Sequence, residues 1–308
     1  SKGGDELARF QTILKSTIFR MANEHPFHML PILFALKNGA KAKHMAGSRG
    51  GLAFQANASR IHAASEIITK ASKINSRMAQ IVDELDCATQ GYIEIAMSDV
   101  ESPAPFPAKW RRKFCKELTN IPLLSVLLPF DLTLKYADLP TIASIDEMMK
   151  FPGGINKPKL VTLTDSHGQT RRQLVKGKDD LRQDAVMQQF FRICNAFLQE
   201  AKATASRNLA IGTYFALPFS PSSGLLEWLD NTESLEEFIA DGNRKYHRAT
   251  RQVMRKVMDV QTKKGWNETA SLRERKKLFD QCVKDLGPPR MARVFLRRFS
   301  DPGRWFQA

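Results

Sequence analysis

The chain is poor in the residues that build disulfide frameworks and zinc sites. Its 308 residues include only four cysteines, and no two of them have the C-x-x-C spacing. Small disulfide-rich domains and zinc-binding modules both need closely spaced cysteines, so the sequence indicates neither class. Free, scattered cysteines favour a reducing compartment, which is the cytosol or the nucleus.

Long hydrophobic runs are also missing. The most apolar stretch, residues 121–134, is interrupted by Pro122, Pro129 and Asp131, whereas a membrane-spanning helix needs roughly 18 or more apolar residues in a row. We therefore expect no membrane partner. The first residues, SKGGDEL, contain neither an initiator Met nor a signal-peptide pattern, which predicts a fragment or a processed form of a longer protein.

Acidic residues are outnumbered by basic ones. The chain has 32 Asp and Glu against 47 Lys and Arg, a net charge of +15, and its basic runs fall at 109–116, 244–256, 273–277 and 290–298. A positive field of this size can draw DNA, nucleotides or acidic protein segments. The runs are interleaved with apolar residues and hold no DNA-reading motif, which favours solvated helix faces. A basic helical scaffold or DNA-binding module stays open as an alternative.

Residues 5–99 have the periodicity of helices and no strand pattern. One helix is expected over residues 7–21, a second over 25–36 and one long helix over 61–85, because apolar residues recur at helical spacing there. The glycine-rich run 37–51 predicts a loop. Antiparallel helical pairs at the end of an α-solenoid fit this pattern best.

Three prolines in residues 102–108 mark a boundary, after which the pattern becomes that of strands. Residues 159–163 and 170–176 predict a β-hairpin with Gly168 at its turn. The apolar run 209–217 predicts another strand, and the remainder of the chain is helical again. We therefore predict an α+β fold that consists of a helical region, a small β-rich lobe with one main helix, and further helices.

The segment LVKGKDDLRQDAVMQQFF, residues 174–191, carries the strongest functional signal. A strand ends at Lys176, Gly177 lets the chain turn, and Asp179 and Asp180 are expected to cap the next helix. A lysine at a strand end beside a carboxylate is how kinases hold an ATP phosphate, because the cation needs an anion to stay fixed. The helix is predicted to bury an apolar face made of Leu181, Ala185, Val186, Phe190, Ile193 and Phe197.

This segment resembles the corresponding segment of phosphatidylinositol 3-kinase-related protein kinases. Its G-x-D-D-L-R-Q-D core is shared with phosphoinositide kinases, whereas A-V-M-Q-Q resembles the ATM branch, whose fungal members maintain telomeres. Residues 25–36 resemble the end of the helical FAT region, and residues 242–305 resemble the first helices of the large kinase lobe. The resemblance implies FAT helices over 1–101, a linker and small lobe over 102–228, and the hinge with an incomplete large lobe over 229–308.

The resemblance also implies which residues meet the phosphates of ATP. Lys176 would contact them directly, with either Asp179 or Asp184 as its acidic partner, and the sequence leaves that choice open. Gly153 and Gly154 match the glycine-containing phosphate loop of the family, where small residues let backbone N–H groups approach closely.

At the adenine end, Tyr214 matches a family tyrosine behind the base, although a core aromatic on a strand explains it equally well. Glu227, Trp228 and Leu229 match the hinge between the lobes. Adenine would be recognised there by backbone groups, with the Trp228 ring offering an apolar face.

Two family motifs do not occur in the sequence. Neither the catalytic loop, G-D-R-H followed by an asparagine, nor the metal-binding D-F-G triplet is found. We therefore assign no catalytic residue and no metal ligand, and we expect the ligands of the Mg²⁺ that accompanies ATP outside this stretch. Phosphoryl transfer needs both motifs, so the 308 residues alone are predicted not to catalyse.

The resemblance implies a serine/threonine protein kinase of the DNA damage response. Such a kinase would be nuclear, would phosphorylate serine or threonine before glutamine, and would act with a sensor complex for DNA double-strand breaks. The full-length protein would be a homodimer. A phosphoinositide kinase of the same superfamily is the alternative, since the activation segment that selects the substrate is not in the sequence.

Overall fold

The computed structural model describes residues 2–42, 57–100, 103–153, 156–240, 243–264 and 272–299, together with Asp301 and Gly303. It contains two compact units, Ser1–Leu229 and Asp230–Ala308. The first unit combines helices with two β-sheets, and the described part of the second is helical. The α+β class predicted from the sequence is therefore confirmed.

Helices build the first hundred residues, as the periodicity predicts. They are α1 (Lys2–Glu24), α2 (Pro26–Lys37), α3 (Ala58–Ser72) and α4 (Ser76–Met97), and α5 (Ala108–Lys116) follows in the next segment. Each of α1 to α3 packs against the next helix along the chain. A 3₁₀ turn (Asn38–Ala42) begins the predicted loop, and residues 43–51 of that loop lie outside the described residues.

The prediction of a single helix over residues 61–85 is wrong, because the helix is interrupted there between α3 and α4. The break follows from Asn75, whose side chain accepts a hydrogen bond from the N–H of Met78 at 2.8 Å and so starts a new helix. Asn57 caps α3 in the same way by accepting from the N–H of Arg60. The apolar stripe continues across the break, so periodicity alone gives no sign of it.

Five antiparallel strands form the main sheet, and two short strands form another. The chain order is β1 (Ala104–Pro105), β2 (Ile142–Ile145), β3 (Met148–Met149), β4 (Lys159–Asp165), β5 (Thr170–Gly177), β6 (Ala216–Ser220) and β7 (Ser223–Glu227). The main sheet has the order β2-β4-β5-β7-β6, and β1 pairs with β3. The predicted hairpin is confirmed, since β4 pairs with β5 and Gly168 adopts a φ of +78° at the turn.

The strand predicted over residues 209–217 is mostly wrong, because regular structure begins only at Ala216. Side chains of the helix Arg182–Glu200 form hydrogen bonds with backbone groups of this segment, which a neighbouring strand would bond in a sheet. Asn195 bonds both the N–H and the carbonyl of Ile211, at 2.7 and 2.8 Å, and Gln188 accepts from the N–H of Tyr214 at 3.0 Å. The segment is therefore satisfied without forming a ladder.

Helices cover both faces of the main sheet. Helix α4 packs against β5, β6 and β7 on one face, and α6 (Arg182–Glu200), which precedes the short helix α7 (Lys202–Ala205), packs against β6 on the other. Side chains alternate between the faces along each strand. Val175 and Leu225 join the core cluster that includes α4, whereas Leu226 joins the cluster around Leu181. The helical region and the sheet thus form one compact unit.

The predicted buried face of α6 is largely wrong. Leu181 is fully buried and Ala185 is half-buried, but Val186, Phe190, Ile193 and Phe197 are exposed by half or more. The buried residue within the helix is instead Gln188, whose side chain turns inward to the segment before β6. The apolar stripe of α6 therefore faces away from the sheet in the part of the chain that the structure describes.

The described part of the second unit contains four helices. They are α8 (Leu235–Ala240), α9 (Arg244–Lys264), α10 (Leu272–Leu286) and α11 (Met291–Arg298). Three of the basic runs lie on α9, α10 and α11, and some of their charges are paired, as in the contacts of Lys256 with Asp285 and of Arg298 with Glu233. Within the described residues, no helix is both long and apolar enough to cross a membrane.

Candidate nucleotide-binding site

Lys176 lies near the end of β5, opposite Gly224 of β7. Its position in the alternation along β5 puts it on the same face as Leu174, which is the face that α6 covers. Its Nζ lies 3.3 Å from Oδ2 of Asp179, and a quarter of the lysine side chain is exposed. A part-exposed ammonium has three donors, so one carboxylate leaves capacity for an anionic ligand.

The structure resolves which carboxylate pairs with Lys176. Asp184 is engaged elsewhere, because its Oδ1 accepts a hydrogen bond from the Tyr214 hydroxyl at 3.0 Å. Burial and the neighbouring carboxylate together raise the pKa of Tyr214, so its hydroxyl keeps its proton and donates. Asp179, in the loop before α6, is therefore the partner of the lysine, and Tyr214 is tied to α6.

Two local expectations around this lysine need correction. Asp179 does not cap α6; Asp180 alone accepts a helix N–H, from Arg182 at 3.1 Å, and also forms an ion pair with the Arg182 guanidinium. Gly177 does not make the turn either. It is the last residue of β5, and the positive φ of +56° falls on Lys178.

The glycine-containing loop is tied to the turn after Lys176. Gly153 adopts a φ of +98°, which a residue with a Cβ would adopt only under strain, and the space around it is open. The Asn156 side chain donates to the carbonyl of Lys178 at 3.0 Å. Gly154 lies outside the described residues. An open loop anchored beside the lysine is what a phosphate chain would need.

The predicted hinge begins at Glu227, the last residue of β7, and continues through Trp228 and Leu229. The N–H of Glu227 donates to the carbonyl of Phe215, and the Glu227 carboxylate accepts from the N–H of Phe215 at 3.0 Å. The N–H of Trp228 donates to the carbonyl of Arg172, and the exposed Leu229 ends the first unit. The Glu227 side chain and the N–H groups of Glu227 and Trp228 are thus all hydrogen-bonded within the sheet.

Sequence reasoning missed a set of buried polar residues behind the site. Lys159 is 2% exposed on β4. Gln173 on β5 is fully buried, accepts from the Tyr92 hydroxyl at 2.8 Å and donates to Ser125 at 2.9 Å. Burial raises the pKa of Tyr92, so that hydroxyl stays a donor. The one signal for Lys159 was a lysine that opens the apolar strand sequence KLVTL.

The described residues contain no group of three or more His, Cys, Asp or Glu side chains placed to hold a metal ion. The Mg²⁺ ligands therefore stay a prediction for residues elsewhere. The residues that the sequence predicts to meet ATP include the part-exposed ammonium of Lys176, the glycine loop with open space around Gly153, and the end of β7. A lysine at a strand end with an acidic partner beside the following helix is the feature by which kinases hold the phosphates of ATP.

Comparison with known proteins agrees with this class. Residues 172–308 match the family model described as phosphatidylinositol 3- and 4-kinase. The chain is 32% identical to the serine/threonine-protein kinase tel1 of Schizosaccharomyces pombe and 31% identical to the serine-protein kinase ATM of Sus scrofa. These alignments cover 98% and 97% of the chain, and the chain spans about a tenth of each relative.

Solved structures show the same relationship. The FAT and kinase domain of CtTel1 superimposes with a TM-score of 0.75 at 27% identity, over 97% of this chain and 20% of that one. A further match, with a TM-score of 0.74, is described as the complete CtTel1 dimer with C2 symmetry. The chain therefore contains part of a phosphatidylinositol 3- and 4-kinase domain, and its homologues along the whole chain are the Tel1 and ATM kinases.

Proposed function

We propose that this chain binds ATP between the glycine loop, Lys176 and the hinge strand, as part of a serine/threonine protein kinase. The observation that carries the proposal is the Lys176–Asp179 pair at 3.3 Å, which fixes a part-exposed cation at the strand end. The relatives that align along the whole chain are named as serine or serine/threonine protein kinases, which supports a protein substrate.

In this proposal each group has one task. The Lys176 ammonium donates to phosphate oxygens through charge-assisted hydrogen bonds, and Asp179 holds the amine in place between turnovers. Backbone N–H groups of the loop at Gly153 complete the phosphate contacts, and backbone groups near Glu227 and Trp228 hold the base. Mg²⁺, when bound through residues outside this stretch, would neutralise the developing charge on the transferred phosphoryl group.

The direct test replaces Lys176 by Met in a polypeptide that continues through the catalytic loop. Lys176→Met should reduce phosphorylation of a Ser-Gln peptide by a factor of about 10³ or more, because one preorganised cation supplies stabilisation of that order. Lys73→Met is the matched control, since it removes an exposed lysine at the end of α3. Near-normal turnover in Lys176→Met would remove the phosphate role of this lysine.

A lipid kinase is the second candidate, and the description of the matching family model favours it. A Ser-Gln peptide and a phosphatidylinositol substrate, offered side by side to the complete kinase, would separate the two. Turnover of the peptide alone supports the protein kinase, and turnover of the lipid alone would replace it.

The biological setting is part of the same proposal. We assign residues 1–101 to the FAT region, 102–228 to the linker and small lobe, and 229–308 to the hinge and early large lobe. The dimeric assembly described for CtTel1 supports a homodimer for the full-length protein. We further propose a nuclear kinase that acts in DNA repair and telomere maintenance, recruited by a double-strand-break sensor, with Ser/Thr-Gln sites as substrates.

A further inference from the structure

A buried lysine joins the helical region to the sheet behind the candidate site. Lys159 lies on β4 beside Val175 of β5, and its Nζ donates to the carbonyl of Ala96 at 2.8 Å and to that of Ser98 at 2.7 Å. Both carbonyls belong to the C-terminal end of α4, where unpaired carbonyls and the helix dipole attract a cation. Because Lys159 is almost completely buried, these two carbonyls take the place of water as partners of the amine, and the same burial lowers its pKa.

The carbonyl of Ala96 also lies close to Gly177, the residue after Lys176. A Cβ on Gly177 would lie 2.1 Å from the carbonyl oxygen of Ala96 and 2.7 Å from its carbon. The φ of Gly177 is not positive, so glycine is needed there for this close approach and not for a turn. Lys159 thus fixes the end of α4 at the position where it presses against the strand end that carries Lys176.

We propose that the C-terminal end of α4 positions Lys176, and that Lys159 is the positioning residue that holds this helix end in place. The inference rests on the proposed phosphate contact of Lys176 and adds the means by which the helical region reaches it. A shift of α4 would be felt first at Gly177, because packed backbone at this distance cannot compress. The position of the helical region then sets how well the lysine meets a phosphate.

The test compares the affinities of ATP and adenosine for the 308-residue chain, since only ATP has phosphates for Lys176 to contact. Lys159→Met should lower the affinity for ATP roughly fivefold and leave that for adenosine unchanged. Lys159→Arg, which keeps the cation, should recover most of the loss. Gly177→Ala should resemble Lys159→Met, because its Cβ displaces the Ala96 carbonyl. Lys73→Met, which removes an exposed lysine at the end of α3, is the matched control and should change neither affinity.

A double variant separates this inference from the proposed function. In a Lys176→Met background, Lys159→Met should have no further effect on ATP affinity, because the two substitutions remove the same contact. If Lys159→Met lowers the affinity for adenosine as much as that for ATP, Lys159 has a purely structural role. If Lys159→Met leaves the affinity for ATP unchanged while Lys176→Met lowers it, the inference is overturned. If Lys176→Met itself leaves the ATP affinity unchanged, the proposed function fails first.

Discussion

The Tyr214 hydroxyl donates to the Asp184 carboxylate at 3.0 Å, and this bond links the segment before β6 to the first turn of α6. The bond commits Asp184 to a structural task and leaves Asp179 as the counter-ion of Lys176. Asp184 thereby joins Gln188 and Asn195 in tying α6 to the segment before β6. The sequence left open whether Asp179 or Asp184 pairs with Lys176, and in the structure Asp179 does so while Asp184 bonds Tyr214.

Tyr214→Phe removes this bond and keeps the ring. We expect the free energy of unfolding to fall by about 0.5–1.5 kcal/mol, because a half-buried carboxylate loses its donor. Urea unfolding of the variant and the wild type gives the difference. Tyr246→Phe is the control, since its ring contact with Arg290 remains. Equal stability of Tyr214→Phe and wild type would mean that the bond contributes nothing.

Leu181 and Phe190 test which side of α6 is the packed one. Leu181 is 0% exposed and Phe190 is 54% exposed. Leu181→Ala should cost about 2–5 kcal/mol of unfolding free energy because it leaves a cavity, whereas Phe190→Ala should cost less than about 1 kcal/mol. The two variants can be compared in one denaturant series. A larger loss for Phe190→Ala would restore the buried face predicted from the sequence.

Asp165 at the β4–β5 turn makes the hairpin sensitive to acid. Burial alone would raise the pKa of this carboxyl, but the N–H of Gln169, the Arg171 guanidinium and the N–H of His167 outweigh it and hold the pKa below its usual range. A folded-state pKa below the unfolded value of about 3.9 means that the carboxylate stabilises the fold above that pH. This contribution is lost as the pH falls through the lower, folded-state value.

We therefore expect the wild type to lose unfolding free energy steeply below about pH 4, and Asp165→Asn to show a flatter dependence over the same range. Thermal unfolding between about pH 2 and 7 measures both profiles. His167→Ala keeps the backbone N–H that Asp165 accepts and should leave the acid limb steep. Parallel profiles for wild type and Asp165→Asn would show that the carboxyl titrates alike in both states.

Local sequence signals predicted the hairpin and the strand end at Lys176 well. The alternation of β4 and β5 and the glycine at the turn are properties of neighbouring residues, and the structure follows them. The start of α4 could also have been found, because Asn75 is a strong N-cap residue three positions before Met78.

Long-range packing limits the rest. Periodicity shows that α6 has an apolar stripe, but it does not show which face meets the sheet, and Gln188 reverses the expected choice. The contacts of Lys159 with Ala96 and Ser98 join residues about sixty positions apart, and no local pattern encodes them. Position 177 needs glycine because the Ala96 carbonyl lies too close for a Cβ, whereas the sequence suggested that the glycine allowed a turn.

The most direct test of the account is a crystal structure of the chain with a non-hydrolysable ATP analogue. We predict that the Nζ of Lys176 lies about 3 Å from a phosphate oxygen, with Asp179 still beside the amine. An analogue bound with its phosphates remote from Lys176, and the amine surrounded by water, would contradict the central claim.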